Sequence, residues 1–447
     1  MSFTLIEALG VTAGSRIAFV GAGGKTTAMF TLARQVPGPV ICAITTHLGL
    51  DQAKQADRHV IIRNEKDIRD LFNDGLEGVI LLTGVESENR LVGLTPEQGG
   101  LVETCASAQG LPVLVEADGS RRLPLKAPAS HEPPIPGWVT QVVYMFGLSA
   151  VGKALTAENI FREEIFAQLS GADIGEAVTI QHIVRFLLHP SGGLNNIPSQ
   201  AQRIVFANQL DEFDGSKEEL FATLSTLSSG YDTILAGSLT NAFEQVAWRY
   251  KKVAGIVLAA GGSTRMGTPK QLLPWQGKPL VRHAAEKALA AGLDPVIVVT
   301  GFAAAEVEQA LAHLPVIIAR NPGWELGQSA SIQCGLRKIP PACGAAIFLL
   351  TDMPQVPLNI LRTELEIYQT EPVAILCPSY DGQRGNPVLF ARQAFPELMN
   401  LTGDTGGRAL FDRFPIRWLE WDDPAILQDI DTLEDYRDFM QGDAHDR

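Results

Sequence analysis

The stretch Gly255-Ile-Val-Leu-Ala-Ala-Gly-Gly-Ser-Thr-Arg-Met-Gly-Thr-Pro-Lys270 decides how this chain reads. An apolar run enters Ala259, Ala260, Gly261 and Gly262, residues so small that backbone can approach a ligand and turn several N–H groups toward it. Ser263, Arg265, Gly267 and Lys270 follow at once. Arg265 brings a planar charged fork and Lys270 a compact point charge, which together suit the oxygens of a triphosphate. Strand, side-chain-poor turn and two cations in this order predict a nucleotide site at the C-terminal end of a parallel strand. The candidate nucleotide contacts are Leu258, Ala259, Ala260, Gly261, Gly262 and Ser263, with Arg265 and Lys270 as catalytic residues.

Outward from this loop, short Val- and Ile-rich runs alternate with amphipathic stretches. Arg16–Val20, Val40–Ile44, Val79–Leu82, Val113–Glu116, Gln141–Phe146 and Arg203–Ala207 read as strands in the first half. Gly255–Leu258, Val296–Val299, Val316–Ile318, Ala346–Leu350 and Ala374–Cys377 do so in the second. They lack polar alternation, as strands buried on both faces should. Thr26–Gln35, Pro279–Ala291 and Ala303–Ala312 read as helices between them. The prediction is α/β: two doubly wound, mainly parallel-sheet domains, P-loop NTPase-like and then nucleotidyltransferase Rossmann-like. Trp248-Arg-Tyr-Lys-Lys252 reads as a polar, aromatic joint, placing the boundary within 246–253 and the domains at 1–248 and 249–447.

Composition agrees with packed cores: 447 residues, 46% hydrophobic and only 19% charged. A net charge of −14, shared by both halves, argues against nucleic acid and against anionic membranes as partners. Five scattered cysteines without CxxC spacing spell neither a disulfide framework nor a zinc cluster, and read as buried thiols in a reducing cytosol. With no membrane-length apolar run, the expectation is a cytoplasmic protein acting on small molecules.

Beyond the first loop, Phe348-Leu-Leu-Thr-Asp-Met-Pro354 ends a buried strand in Asp352, where a carboxylate can hold the Mg²⁺ that a triphosphate brings. The loop resembles LAAGxSxRMGxxK, the signature of transferases that move NMP from NTP. The run Pro269-Lys-Gln-Leu-Leu-Pro-Trp-Gln-Gly-Lys-Pro-Leu280 is most similar to the MocA-like molybdenum cofactor cytidylyltransferases, a resemblance extending over about residues 253 to 440. It implies a nucleobase-facing segment, Asn321-Pro-Gly-Trp-Glu-Leu-Gly-Gln-Ser-Ala-Ser331, with Gly327 and Ser331 at the matching positions. It implies an acceptor side at Gly385-Asn-Pro-Val-Leu-Phe390 and Thr402-Gly-Asp-Thr-Gly-Gly-Arg408, hence Asn386, Asp404 and Arg408. Asp429-Ile-Asp431-Thr-Leu-Glu-Asp435 resembles the family's closing DIDTPED motif; either Asp429 or Asp431 (taken as the metal ligand) reaches Mg²⁺, and a solvated acidic face is the other reading. Ala260 stands where guanylyl-transferring relatives carry Gly, which favours CTP.

In the first half, Ile17-Ala-Phe-Val-Gly21-Ala-Gly-Gly24-Lys25-Thr26-Thr27 is strand, glycine turn and helix start. Phe19 stands where GxxxxGK[ST] wants glycine, and the loop is similar to the shorter GxxGKT[ST] of Mur-ligase-like ATP-binding proteins. Gly21, Gly23, Gly24, Lys25, Thr26 and Thr27 are the candidate contacts to ATP or GTP. Leu111-Pro-Val-Leu-Val-Glu-Ala-Asp-Gly119 ends in Glu116 and Asp118, a position for Mg²⁺ or a water-activating carboxylate, with Asp118 as the metal candidate. Val205-Phe-Ala-Asn-Gln-Leu-Asp211 reads either as a divergent NKxD base reader through Asn208 and Asp211 or as a strand-end turn. His47 reads as facing a γ-phosphate or as structural. Glu116 to Pro136, dense in charge and proline, is a rigid loop or, by its close resemblance to the YqeC family, a cationic patch of Arg121, Arg122, Lys126 and His131. That family is a predicted accessory of selenium-dependent molybdenum hydroxylases.

These resemblances imply an enzyme of molybdenum cofactor maturation: Mg²⁺-dependent transfer of CMP from CTP to the phosphate of a molybdopterin-type cofactor, beside an accessory NTP-binding domain, for a hydroxylase apoenzyme. The alternatives are a nucleotidyltransferase for a sugar or alcohol phosphate, and a non-catalytic carrier or chaperone.

Overall fold

The computed structural model of the chain describes residues 2–87, 90–240, 245–262 and 268–445. It divides into two compact units, Met1–Tyr250 and Lys251–Arg447. The first is built on β1 (Arg16–Gly21), β2 (Val40–Ile44), β3 (Arg58–Ile61), β4 (Val79–Thr83), β5 (Val113–Glu116), β6 (Gln141–Gly147), β7 (Gln202–Asn208), β8 (Thr233–Ala236) and β9 (Trp248–Lys251). They form one sheet in the order β9-β8-β7-β6-β1-β5-β2-β4-β3. From β8 across to β3 every pairing is parallel.

Both faces of this sheet are covered, which is why its strands read as unbroken apolar runs. On β1, Ile17 and Phe19 join Ala28, Met29 and Leu32 of helix α1 (Lys25–Gln35) in one core. Ala18 and Val20 point the other way, into a second core with Val102 and Ala106 of helix α2 (Pro96–Ala108). The run Trp248-Arg-Tyr-Lys forms the edge strand β9 where the sequence suggests a joint. Trp248 stacks on Phe221 with ring centroids 4.9 Å apart.

The second unit contains β10 (Val253–Ala259), β11 (Val296–Thr300), β12 (Val316–Arg320), β13 (Ala345–Leu350), β14 (Ile375–Tyr380), β15 (Gln383–Arg384), β16 (Val388–Ala391) and β17 (Ile416–Glu420). The order is β12-β11-β10-β13-β16-β14-β15, with β17 on the other flank of β14. β16 runs antiparallel to both of its neighbours, while β12, β11, β10 and β13 are mutually parallel. Cores again lie on both faces. Each unit is therefore mixed α/β on a parallel-dominated sheet, and in each a glycine-rich loop leaves the C-terminal end of an inner strand, β1 or β10, where such sheets take ligands.

Cys42, Cys343 and Cys377 are buried thiols, while Cys105 and Cys334 are half-buried. Among the described residues no helix is long and apolar enough to cross a membrane.

Candidate functional site

In the second unit, β10 delivers Ala259 and Ala260 into a buried turn and leaves Gly261 open to solvent. Ser263 and Arg265 lie outside the described residues. The turn is held from several sides. The carbonyl of Ala260 accepts from Phe302 N–H at 3.1 Å, and buried Gln271 donates to the carbonyls of Gly261 and Phe302 at 3.4 and 3.3 Å. A Cβ on Gly262 would stand 2.7 Å from the Trp324 ring, so glycine is required for that close approach.

Lys270 follows on a 3₁₀ turn (Lys270–Leu272) and places its Nζ 2.8 Å from Asp352 and 2.9 Å from Asp431. Partial burial would lower the pKa of this lysine, but the two carboxylates outweigh it and raise it, Asp352 most strongly. Asp429 is close enough that partial burial, then the charges of Asp431 and Asp352, push its carboxyl above the usual range. Among the described residues, Asp352 and Asp431 thus pair with Lys270 while Asp429 lies within reach of their charges. Asp352 Oδ1 is buried and has no hydrogen-bond donor among the described residues.

The remaining candidates fall into separate groups. Gly327, with φ of 100°, precedes helix α3 (Gln328–Leu336), and the N–H of Gln328 donates to Asp404 at 3.2 Å. Asp404 therefore sits beside the start of α3, with residues 327–328. Ser331 is buried and accepts from Asn321 at 3.1 Å, an internal partner. Asn386 lines a small crevice with Lys287, Met353 and Pro354, just past Asp352. Arg408 is exposed on its own 3₁₀ turn, Gly407–Leu410.

In the first unit, Gly21, Gly23 and Gly24 all take positive φ, of 90°, 70° and 113°. Gly24 caps α1 without any side-chain cap, which leaves an anion-receptive helix N-terminus. Lys25 is 3% exposed and donates to the carbonyl of Gly21 at 2.8 Å; its Nζ lies 3.4 Å from Asp118 and 4.0 Å from Glu116. Thr26 donates its hydroxyl to Glu116 at 2.7 Å, whereas Thr27 is exposed.

The two carboxylates have different duties from those expected. Asp118 accepts from the N–H of Gly21 at 3.1 Å and is held by Lys126 at 2.9 Å as well as by Lys25. Glu116 instead accepts from the Thr26 hydroxyl, and its burial pushes its pKa up. Lys126 is no surface cation: it is 1% exposed, between Asp118 and Glu132. Glu132 in turn holds Arg162. The chain Lys25, Glu116, Asp118, Lys126, Glu132 and Arg162 carries three carboxylates and three cations.

Asn208 donates to the carbonyl of Gly23 at 2.7 Å and accepts from Leu239 N–H at 3.1 Å, so both ends of its amide brace the loop. The hydroxyls of Ser238 and Thr240 bond to Asp211, and Ser238 chiefly lowers its pKa. His47 is exposed on a short strand paired with Arg90–Val92. The neighbouring Thr45 hydroxyl is buried without a partner, and Thr45 helps line an apolar cavity of about 320 Å³ with Trp138, Ile135 and Val115.

Residues 255–418 match the MobA-like NTP transferase domain family and residues 17–164 match the YqeC protein family. The uncharacterized protein YqeC of Escherichia coli (strain K12) is 30% identical over 207 residues, which are 45% of this chain and 78% of that protein. The purine catabolism protein PucB of Bacillus subtilis (strain 168) is 33% identical over 196 residues, 41% of this chain and 93% of that one. The chain belongs to both families. A YqeC domain leads and a MobA-like NTP transferase domain follows. The transferase domain is also 27% identical, over 187 residues, to the molybdenum cofactor cytidylyltransferase of Escherichia coli (strain K12), covering 40% of this chain and 92% of that enzyme.

Several residues that shape the transferase site escaped sequence reasoning. Gln271 and Trp324 lie inside motifs already quoted but carry no charge to mark them. Lys287 sits mid-helix in Leu280–Ala290, far from any motif, and donates to the carbonyls of Pro354 and Val356 behind Asp352. Burial lowers its pKa to about 8. In the YqeC domain the missed residue is Gln52, whose amide donates to Thr26 Oγ1 at 3.0 Å.

Proposed function

We propose that the transferase domain moves CMP from CTP to the terminal phosphate of a molybdopterin-type cofactor, and that the YqeC domain binds ATP or GTP in an accessory step that serves a molybdenum hydroxylase apoenzyme. The observation that carries the reading is Lys270, held between Asp352 and Asp431 at the mouth of the glycine-rich turn. The Escherichia coli cytidylyltransferase relative and the alanine at position 260 support cytosine and the acceptor.

The acceptor phosphate supplies the nucleophilic oxygen. It forms a bond to the α-phosphorus of CTP while the bond from that phosphorus to the β-phosphate oxygen breaks, and pyrophosphate leaves; no side-chain nucleophile is needed. Positioning and charge neutralisation then supply the catalysis. The backbone of residues 259–262 holds the triphosphate. Lys270, kept protonated by its carboxylate neighbours, neutralises the departing pyrophosphate, with Arg265 as its partner cation in the sequence. The crowding of Asp352, Asp429 and Asp431 and the Oδ1 of Asp352, which has no donor among the described residues, fit a divalent cation. Asp352 and Asp431 would hold Mg²⁺, which when bound screens the two phosphates from each other. Among the described residues no three metal-binding side chains form a complete cage, so phosphate and water oxygens would complete the coordination.

The test is pyrophosphate release by the full-length protein with each NTP, with and without authentic molybdenum cofactor. Release with CTP and cofactor is expected. Turnover of CTP with a sugar or polyol phosphate, and none with cofactor, would overturn the acceptor; preference for GTP would overturn the base. Hydroxylase maturation that survives Asp352→Ala would point to a carrier.

A further inference from the structure

The segment after Asp118 is pinned to the glycine loop of the YqeC domain at both ends. Asp118 accepts from Gly21 N–H, and the carbonyl of Leu123 accepts from Gly23 N–H at 3.3 Å. Between the pins, Arg121 and Arg122 adopt left-handed backbones, with φ of 53° and 62°. A bulky non-glycine residue in that region costs free energy, two in succession cost more, and such strain concentrates where a ligand makes use of it. The two are the central residues of a tight turn that Leu123 N–H closes by donating to the carbonyl of Ser120 at 3.0 Å, a geometry that glycine or asparagine would adopt at lower cost.

The side chain of Arg121 explains what the strain holds in place. It is exposed, and among the described residues its one partner is the ring of Phe161, 4.6 Å from the guanidinium. Arg162 lies at 4.6 Å from the same ring, but is locked by Glu132 at 2.5 and 3.1 Å and by the carbonyl of Ala127. A ring orients a cation without neutralising it or using its N–H donors. Arg121 is therefore a ring-oriented guanidinium with its full fork available, on a segment pinned at both ends to a phosphate-type loop whose inner cation, Lys25, is buried. Lys126, which the sequence suggested for this patch, is consumed by Asp118 and Glu132.

We propose that Arg121 binds the terminal phosphate of a nucleoside triphosphate seated on the Gly21–Thr26 loop; this rests on the reading of the YqeC domain as an NTP-binding domain. A planar fork matches a terminal phosphate, which offers two unshared oxygens side by side, better than it matches an inner bridging one. The adjoining Arg122 is taken up in a surface pair with Asp51 at 3.1 Å, which leaves Arg121 as the arginine of the turn with its fork available.

The experiment is calorimetric titration of the full-length protein with ATP, GTP and their diphosphates. All arms carry Lys270→Ala and Asp352→Ala, so that the transferase site does not contribute. Arg121→Ala is expected to weaken triphosphate binding about tenfold or more, the scale of a lost charge-assisted contact, while leaving the diphosphates unchanged. Arg121→Lys should recover only part of the loss. Arg121→Gly, which accepts the left-handed backbone, should raise the Tm while showing the same selective loss, a combination that a purely structural arginine would not give. Equal weakening of tri- and diphosphate, or none, would overturn the proposal. Lys25→Ala separates the two readings: if it leaves triphosphate binding unchanged, the nucleotide reading of the domain itself fails. If it abolishes binding and Arg121→Ala does nothing, only the role of Arg121 fails.

Discussion

Among the described residues three carboxylates crowd near Lys270, and that crowding makes predictions at single residues. The pKa of Asp429 is raised above its ordinary 3.8 by partial burial and by Asp431 and Asp352. The fold therefore favours its protonated form, and ionisation subtracts stability as pH rises from 3.8 through the raised value. Asp429→Asn should raise the Tm of the metal-free protein at pH 7, with the gain vanishing toward pH 4. Thermal melts with Mg²⁺ should show a smaller stabilisation in the variant than in the wild type; an equal one would mean that Asp429 does not feel the ion. Asp352→Asn should lower kcat about 10²–10³-fold, the scale of a lost charge-stabilising group, with unchanged circular dichroism. Lys270 and Asp352 were legible in sequence because each sits in a local motif. Asp431, 161 positions from Lys270, was expected near the metal only through the resemblance of its closing motif, and its ion pair with Lys270 follows from the fold. The duties of Glu116 and Asp118 were not legible either, because sequence cannot say which of two carboxylates at a strand end meets Thr26.

At the scale of elements, the loop after β1 is kept open by two devices that can be tested apart. The first is steric: Gly24 has φ of 113°, and a Cβ there would lie 2.7 Å from Asn208 Nδ2. Gly24→Ala should destabilise the YqeC domain by about 1–3 kcal/mol and weaken nucleotide binding, as read by urea melts and calorimetry. The second is ionic. Burial raises the pKa of Glu132, but bonds from Arg162 and Lys126 outweigh it and hold the group at about 2. Its contribution is present above the ordinary 4.5 and is lost as pH falls from there through about 2. Glu132→Gln should flatten the acid limb of stability in that window and lower stability at pH 7; an unchanged acid limb would show that the network holds nothing. Most strands buried on both faces were readable from their apolar runs, but β8, short and opening on Thr233, was not. Nor was the edge strand β9, because Arg249-Tyr250-Lys251 reads as a polar linker, although Arg249 is buried against the Phe3 ring. β16 also escaped: its antiparallel place between β13 and β14 is set by pairing rather than by composition.

At the scale of the whole molecule, each unit owns a sheet and cores on both its faces, so each has what independent folding requires. The passage from one to the other is abrupt. Lys252 alone separates β9 from β10, and it already serves the second unit, pairing with Asp294 at 2.7 Å and accepting from Gly344 N–H at 2.9 Å. A cut after 248 would divide β9, whereas a cut after 251 leaves both sheets whole. We therefore predict that fragments 1–251 and 252–447 each melt cooperatively, and that the second retains NTP-dependent pyrophosphate release with cofactor. Fragment 1–247 should be less stable than 1–251 by about 3–5 kcal/mol, the usual cost of deleting a buried tryptophan, because Trp248, 6% exposed, leaves Phe221 without its stacking partner. Equal melting of fragments 1–247 and 1–251 would mean that β9 is a passive linker after all, and the functional border would then lie at the start of the strand.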